Sequence, residues 1–252
     1  AVIREETEAL QKRFASPRKT EISPEEAIDH TIEELTLRQD VVITLTSRDY
    51  IKRIPCSTYK LQHRGGKGVR GMTTRDDDSL QQLLVADTHA ALLFFTNKGR
   101  VYQLKCFQVP GDNSRTTRGV PLVNLLPLLP GEKVSAMVAI SSLKMEDCLL
   151  LATKKGQVKA MDLRQLINMR SRGLAAMKLH RDDELVSASL VSGRPDVVVV
   201  TERGQAIRFP VNQVPKRSRA AGGVRGIRLA QGDKVVSMGM TLSNDTLLVA
   251  SK

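Results

Sequence analysis

From Gln62 to Gly68 the chain reads Gln-His-Arg-Gly-Gly-Lys-Gly, and Arg70 follows in Gly68-Val69-Arg70-Gly71. Gly65, Gly66 and Gly68 leave the backbone free to turn left-handed and to lie close against another surface. Arg64 and Lys67 set two permanent cations among them, with Gln62 and His63 in front. A flexible, cationic, nearly side-chain-free ribbon suits close approach to phosphates; on composition alone it reads equally as a solvated glycine-rich loop. A Walker-type phosphate loop is excluded, because that loop needs Ser or Thr after its Lys and opens a helix. Here Gly68 and Val69 follow Lys67, and no helix-forming run comes next.

Other chemistry-bearing residues point to no active site. Cys56, Cys106 and Cys148 are too few and too far apart for a disulfide framework or a zinc site, so a reducing cytoplasmic setting is expected. His30, His63, His89 and His180 show neither metal spacing nor a partnered nucleophile. Asp76-Asp77-Asp78 reads as a solvated acidic turn, since consecutive strand-like residues do not all face one ion. Tyr50, Tyr59 and Tyr102 sit in or beside strands and read as packing residues. No metal, cofactor or catalytic residue is expected.

The elements that position these residues form a repeat. Val41–Tyr50, Leu92–Arg100, Leu149–Gln157 and Val197–Gln205 share one template: an apolar run, Thr, two polar residues, a turn residue and an alternating strand. Each predicts a β-hairpin, with Asp49 taking the turn place of Gly99, Gly156 and Gly204. Seven residues past the turn stand Cys56, Cys106, Leu163 and Val211, so both cysteines are expected as buried apolar side chains. A second signature recurs at Gly68, Gly119, Gly173 and Gly223, each followed by Val or Leu. Cations cluster around it: Arg115 and Arg118, Arg170 and Arg172, then Lys216, Arg217, Arg219 and Arg225. An acidic turn and another β-rich run follow each. Units of about fifty residues with four short strands predict blades of a radial sheet assembly, with a fifth copy opening at Thr246–Lys252. Cations at one equivalent place per blade would recur around a rim.

The chain of 252 residues carries 39 Lys and Arg against 27 Asp and Glu, a formal +12. That excess predicts a polyanionic partner, nucleic acid before an anionic membrane. The cations are scattered instead of forming one amphipathic helix, and neither a membrane span nor a signal peptide is expected. Aromatics make up 3% and Trp is absent, which argues against base stacking on single strands. No helix carries a base-reading set, so sequence-specific readout is not expected. Ala1–Phe14 predicts a helix with Ile3, Leu10 and Phe14 on one face, ended by Ser16-Pro17. A further helical turn is expected from Ser23-Pro24, and Ile32 and Leu35 are expected to tuck onto the main domain.

The seven residues Gln62–Gly68, with the flanking Val41–Tyr59 and Ala1–Ile22, resemble the C-terminal domain of the bacterial DNA gyrase A subunit, within the type IIA topoisomerases. His63 stands where that family usually has Arg, and the family's six blades exceed the four units and a fifth start found here, which implies either a truncated chain or a disc that closes with fewer blades. The resemblance implies an all-β fold with a short N-terminal helix: a β-pinwheel, a propeller-like disc of four-stranded blades that exchange strands. It implies residues 1–40 as the tail of an upstream coiled coil plus linker, and 41–252 as the domain that wraps double-stranded DNA right-handedly, so that gyrase introduces negative supercoils. The implied DNA-binding set is Gln62, His63, Arg64, Gly65, Gly66, Lys67, Gly68, Arg70, Arg115, Arg118, Arg170, Arg172, Lys216, Arg217, Arg219 and Arg225. Implied partners are double-stranded DNA, the gyrase B subunit, which is the other half of an A2B2 complex, and the remainder of gyrase A, in the bacterial cytoplasm with no membrane. The catalytic site would lie elsewhere in the enzyme. Two alternatives stay open: the related topoisomerase IV domain, and a propeller scaffold for an acidic protein.

Overall fold

The computed structural model describes residues 2–17, 19–20, 31–59, 71–72, 78–112, 114–141, 148–166, 169, 172–193, 195–242 and 245–246. The chain divides into two compact units, Ala1–Leu35 and Thr36–Lys252.

The first unit contains α1 (Val2–Phe14) and α2 (Ile32–Leu35). An Arg4–Glu8 pair at 2.9 Å, one turn apart, supports α1. Its apolar stripe of Ile3, Leu10 and Phe14 is exposed. α2 is one turn held by a reciprocal cap: Thr31 N–H donates to the Glu34 carboxylate at 3.0 Å, and Glu34 N–H to Thr31 Oγ1 at 3.3 Å. Ile32 and Leu35 are 74% and 72% exposed. Local capping suffices to make this turn without burying its apolar side chains. The helical turn expected from Ser23-Pro24 lies outside the described residues.

In the second unit each repeat gives a hairpin and then a long third strand. The strands are β1 (Asp40–Thr46), β2 (Tyr50–Pro55) and β3 (Leu80–Asp87); β4 (Ala91–Thr96), β5 (Arg100–Lys105), β6 (Val120–Pro121) and β7 (Val134–Ile140); β8 (Cys148–Thr153), β9 (Gln157–Asp162), β10 (Leu174–Ala175) and β11 (Leu185–Val191); β12 (Asp196–Thr201), β13 (Ala206–Pro210), β14 (Val224–Arg225) and β15 (Val235–Thr241). The four sheets have the orders β3-β1-β2-β6, β10-β5-β4-β7, β11-β8-β9-β14 and β13-β12-β15. The repeat by itself reads as the four strands of one blade, whereas the resemblance implies blades that exchange strands. The exchange is what forms: the two-residue strand after each second-signature glycine crosses to the preceding blade, Val120 pairing with Ile51, Leu174 with Val101 and Val224 with Val158. Among the described residues, β13 has β12 as its one partner.

The expected hairpins form. Asp49, Gly99, Gly156 and Gly204 all have positive φ, between 58° and 82°; Asp is among the few side-chain-bearing residues that tolerate this region. The core lies between successive sheets. Leu92 and Phe94 face the cluster shared with β1, while Leu93 and Phe95 face the cluster shared with β8. Likewise Leu149 and Leu151 face β4, and Leu150 and Ala152 face β12. Burial on both faces explains why these strands read as unbroken apolar runs. Third strands also meet: Gln82 exchanges hydrogen bonds of 2.6 and 2.7 Å with the Met137 backbone, joining β3 to β7.

Candidate nucleic-acid interface

The acidic turns hold the hairpins. Asp78 is buried, not solvated as the sequence suggested. It accepts from Ser47 Oγ at 2.9 Å and Arg48 N–H at 3.1 Å. Burial works to raise its carboxyl, but hydrogen bonds from Thr46, Ser47, Arg48 and Ser79 together hold it below the ordinary Asp range. Asp183 accepts from Lys155 N–H at 2.9 Å, and Asp233 from Arg203 N–H at 3.2 Å. Glu132 accepts from Thr96 Oγ1 at 3.2 Å and Tyr102 Oη at 2.6 Å. Asp76 and Asp77 lie outside the described residues. Among those described, no group of three His, Cys, Asp or Glu side chains could hold a metal ion. Cys106 is fully enclosed, as its repeat position suggested, whereas Cys56 is half-buried.

The second-signature glycines are required by packing. A Cβ on Gly119 would lie 2.3 Å from the Ile51 carbonyl oxygen, on Gly173 2.7 Å from the Tyr102 ring, and on Gly223 2.7 Å from the Val158 carbonyl oxygen. The donated strand thus lies flat on the preceding blade as the end strand of its sheet, with the basic segment just before it in the chain. In the second repeat this segment is bridged to the chain at Arg53↔Gly111, in the fourth at Ala160↔Lys216.

Two lysines enter these segments from within. Lys52 and Lys159 stand three residues past their hairpin turns and are almost wholly enclosed. Lys52 Nζ donates to the carbonyls of Arg115 at 2.5 Å and Thr117 at 2.9 Å. Lys159 Nζ donates to Ala176, Arg219 and Ala221 at 2.8, 2.7 and 2.9 Å. Burial pushes both ammonium groups below the usual lysine range, with Asp112 opposing the shift at Lys52. At Lys159 the like charge of Arg217 adds to burial, and the value falls to about 8. Sequence reasoning passed over both, because a lysine in an alternating strand reads as solvent-facing; their shared repeat position was the available signal.

The candidate contact residues divide. Arg172, Lys216, Arg217, Arg219 and Arg225 are exposed. Lys216 pairs with Asp162 at 2.8 Å. Arg115 and Arg118 are half-buried. Arg118 lies over the Tyr50 ring at 5.4 Å, and its enclosed Nε meets no hydrogen-bond partner among the described residues. Gln62–Gly68, Arg70 and Arg170 lie outside the described residues. Lys178, missed in the sequence, is an exposed cation whose N–H donates to Ala221 at 3.2 Å, beside the fourth-repeat segment. Cations beside the hairpin turns serve as internal ties: Arg100 Nη2 donates to the Arg172 carbonyl at 2.7 Å, and Lys154 pairs with Glu184 at 2.9 Å.

Residues 40–87, 90–141, 149–192 and 195–241 match the family described as DNA gyrase C-terminal domain, beta-propeller. The chain belongs to that family. Each matched segment of the gyrase C-terminal domain family begins at or just before a hairpin and ends at the long third strand of the same repeat. The DNA gyrase A protein of Staphylococcus aureus is 41% identical over 254 residues, covering all of this chain and 28% of that protein. A solved DNA gyrase A C-terminal domain superposes with a TM-score of 0.66 at 26% identity, covering 80% of this chain and 65% of that one. A solved C-terminal domain of DNA topoisomerase IV superposes with a TM-score of 0.67 at 28% identity, covering 83% and 63%. The chain spans less than a third of the gyrase A proteins it resembles.

Proposed function

We propose that residues 36–252 bind double-stranded DNA without sequence preference and bend it right-handedly along the outer edges of successive blades. The carrying observation is that exposed cations precede the donated strand in the third and fourth repeats, at Arg172 and at Lys216, Arg217 and Arg219, with half-buried Arg115 and Arg118 at the same place in the second. A short duplex costs of the order of 1–10 kcal/mol to bend, so many separated phosphate contacts are needed to hold it. Cations repeated from blade to blade meet that need better than one pocket. In a gyrase, such a wrap presents a duplex segment for strand passage and gives negative supercoils their sign. This chain then supplies binding and geometry; cleavage, religation and ATP hydrolysis belong to the rest of an A2B2 assembly with the B subunit, in the bacterial cytoplasm. Gln62–Gly68 with Arg70 forms the corresponding cationic segment of the first repeat.

The near-equal likeness to a topoisomerase IV domain favours a second reading, DNA binding without supercoiling. One experiment separates the two. The protein is added to a relaxed plasmid with topoisomerase I at low salt, and the linking number is read after protein removal. Wrapping predicts a positive change, diminished in Arg64→Ala/Lys67→Ala while thermal stability holds. Binding with no linking-number change would select the topoisomerase IV-like reading, and no binding at all would overturn both.

A further inference from the structure

The buried lysines are not needed to fill the core. At their repeat position the second blade uses Tyr102, which is fully enclosed, while the fourth carries Ile207, which is exposed. Enclosing an ammonium is costly unless its donors are well met. Among the described residues neither Lys52 nor Lys159 has a carboxylate within ion-pair distance. Both direct their donors to main-chain carbonyls, and four of those five belong to basic segments that precede a donated strand.

We propose that Lys52 and Lys159 are positioning residues for phosphate binding: each draws carbonyls of a basic segment inward, so that the segment's N–H groups and arginines are presented on the opposite side. A trans peptide points its N–H opposite to its C=O, and the described chain has no cis peptide. Holding the Arg219 and Ala221 carbonyls on Lys159 therefore aims the N–H groups of Ala220 and Gly222 away from the ammonium. Among the described residues those two N–H groups have no acceptor. Holding Arg115 and Thr117 on Lys52 likewise aims the N–H groups of Thr116 and Arg118 away from that ammonium, and the Thr116 N–H donates to Ser114 Oγ at 3.3 Å. Backbone N–H groups beside arginines are common phosphate donors. The enclosed ammonium groups cannot reach a phosphate themselves, so their effect passes through the segments they hold. The third-repeat segment is held differently, by Arg100 on the Arg172 carbonyl.

This inference rests on the reading that these segments bind duplex DNA, and its test distinguishes the two. Affinity of the 252-residue chain for a random-sequence duplex is measured from roughly 50 to 200 mM salt, where each lost phosphate contact lowers the slope of log K against log salt by about 0.9. Lys159→Met and Lys159→Ile, the latter carrying the fourth blade's own residue, are expected to lower the slope by about 2. The Arg217→Ala/Arg219→Ala variant is expected to lower it by a like amount, and adding Lys159→Met to it should cause little further loss. A purely structural lysine would lower the melting temperature and leave the slope alone, and that result overturns the positioning role. An Arg217→Ala/Arg219→Ala variant with wild-type affinity and slope overturns the DNA reading of this segment instead. If the lysine variants do not fold, hydrogen exchange of the wild-type protein decides: Ala220 and Gly222 amides should gain protection when duplex is added, and unchanged exchange overturns the proposal.

Discussion

A methyl group at position 119 would press on the Ile51 carbonyl carbon and oxygen at 2.8 and 2.3 Å, at a residue whose φ is +80°. Gly131 has nearly the same φ, +78°, and nothing within 4 Å of the place its Cβ would take. The pair separates backbone strain from close packing. Gly131→Ala should cost about 1–2 kcal/mol, the penalty for a left-handed residue bearing a side chain. Gly119→Ala should cost several kcal/mol, because the donated strand must lift off β2. Urea denaturation of both variants checks this, and equal losses would show that the glycine is there for its φ alone. The recurrence of Gly119, Gly173 and Gly223 was plain in the sequence. Its cause was not, since the atoms that forbid a side chain belong to the preceding repeat. Lys52 and Asp78 escaped for a related reason. Local pattern assigns charged residues to solvent, and only the fold brings carbonyls to the lysine and hydrogen-bond donors to the aspartate.

Hairpins were the most legible elements, because apolar alternation and the turn residue lie within about fifteen consecutive positions. The donated strands were invisible as strands. Two residues carry no period, and Val120, Leu174 and Val224 find their partners in another repeat. Their arrangement has a consequence for β13. Ile51, Val101 and Val158 each meet a donated strand, whereas Ala206, two residues past its own turn as they are past theirs, has a strand partner on one side among the described residues. A hydrogen bond contributes roughly 1 kcal/mol, so the Ala206 amide should exchange on the order of tenfold faster than those of Val101 and Val158. Residue-resolved hydrogen exchange measures this, and equal protection at all of them would show that β13 is covered in solution.

At the scale of the molecule, net charge announced a polyanionic partner but not which cations serve it. Lys154, Arg208, Lys216 and Lys234 are engaged with Glu184, Asp196, Asp162 and Glu202, so the count of basic residues overstates those free for phosphate. The charge is also uneven along the chain. Residues 1–35 contain five Lys and Arg and nine Asp and Glu, which makes residues 36–252 more basic than the chain's +12. All three core clusters lie within residues 36–252, and α1 and α2 contribute no buried residue. A chain shortened to 36–252 should therefore keep its fold. Losing exposed residues shifts stability by no more than about 0.5 kcal/mol, which is about 1–2 °C in melting temperature for a domain of this size. Its affinity for duplex DNA at low salt should equal or exceed that of the full chain, because an acidic segment has been removed and like charges repel less. Thermal unfolding and duplex titration at two salt concentrations check both statements. A large fall in melting temperature would mean that the first unit completes a core. A fall in affinity with stability intact would mean that Arg4, Lys12 or Arg13 reaches phosphate despite the acidic surroundings, and the basic surface of the blades would no longer account for binding by itself.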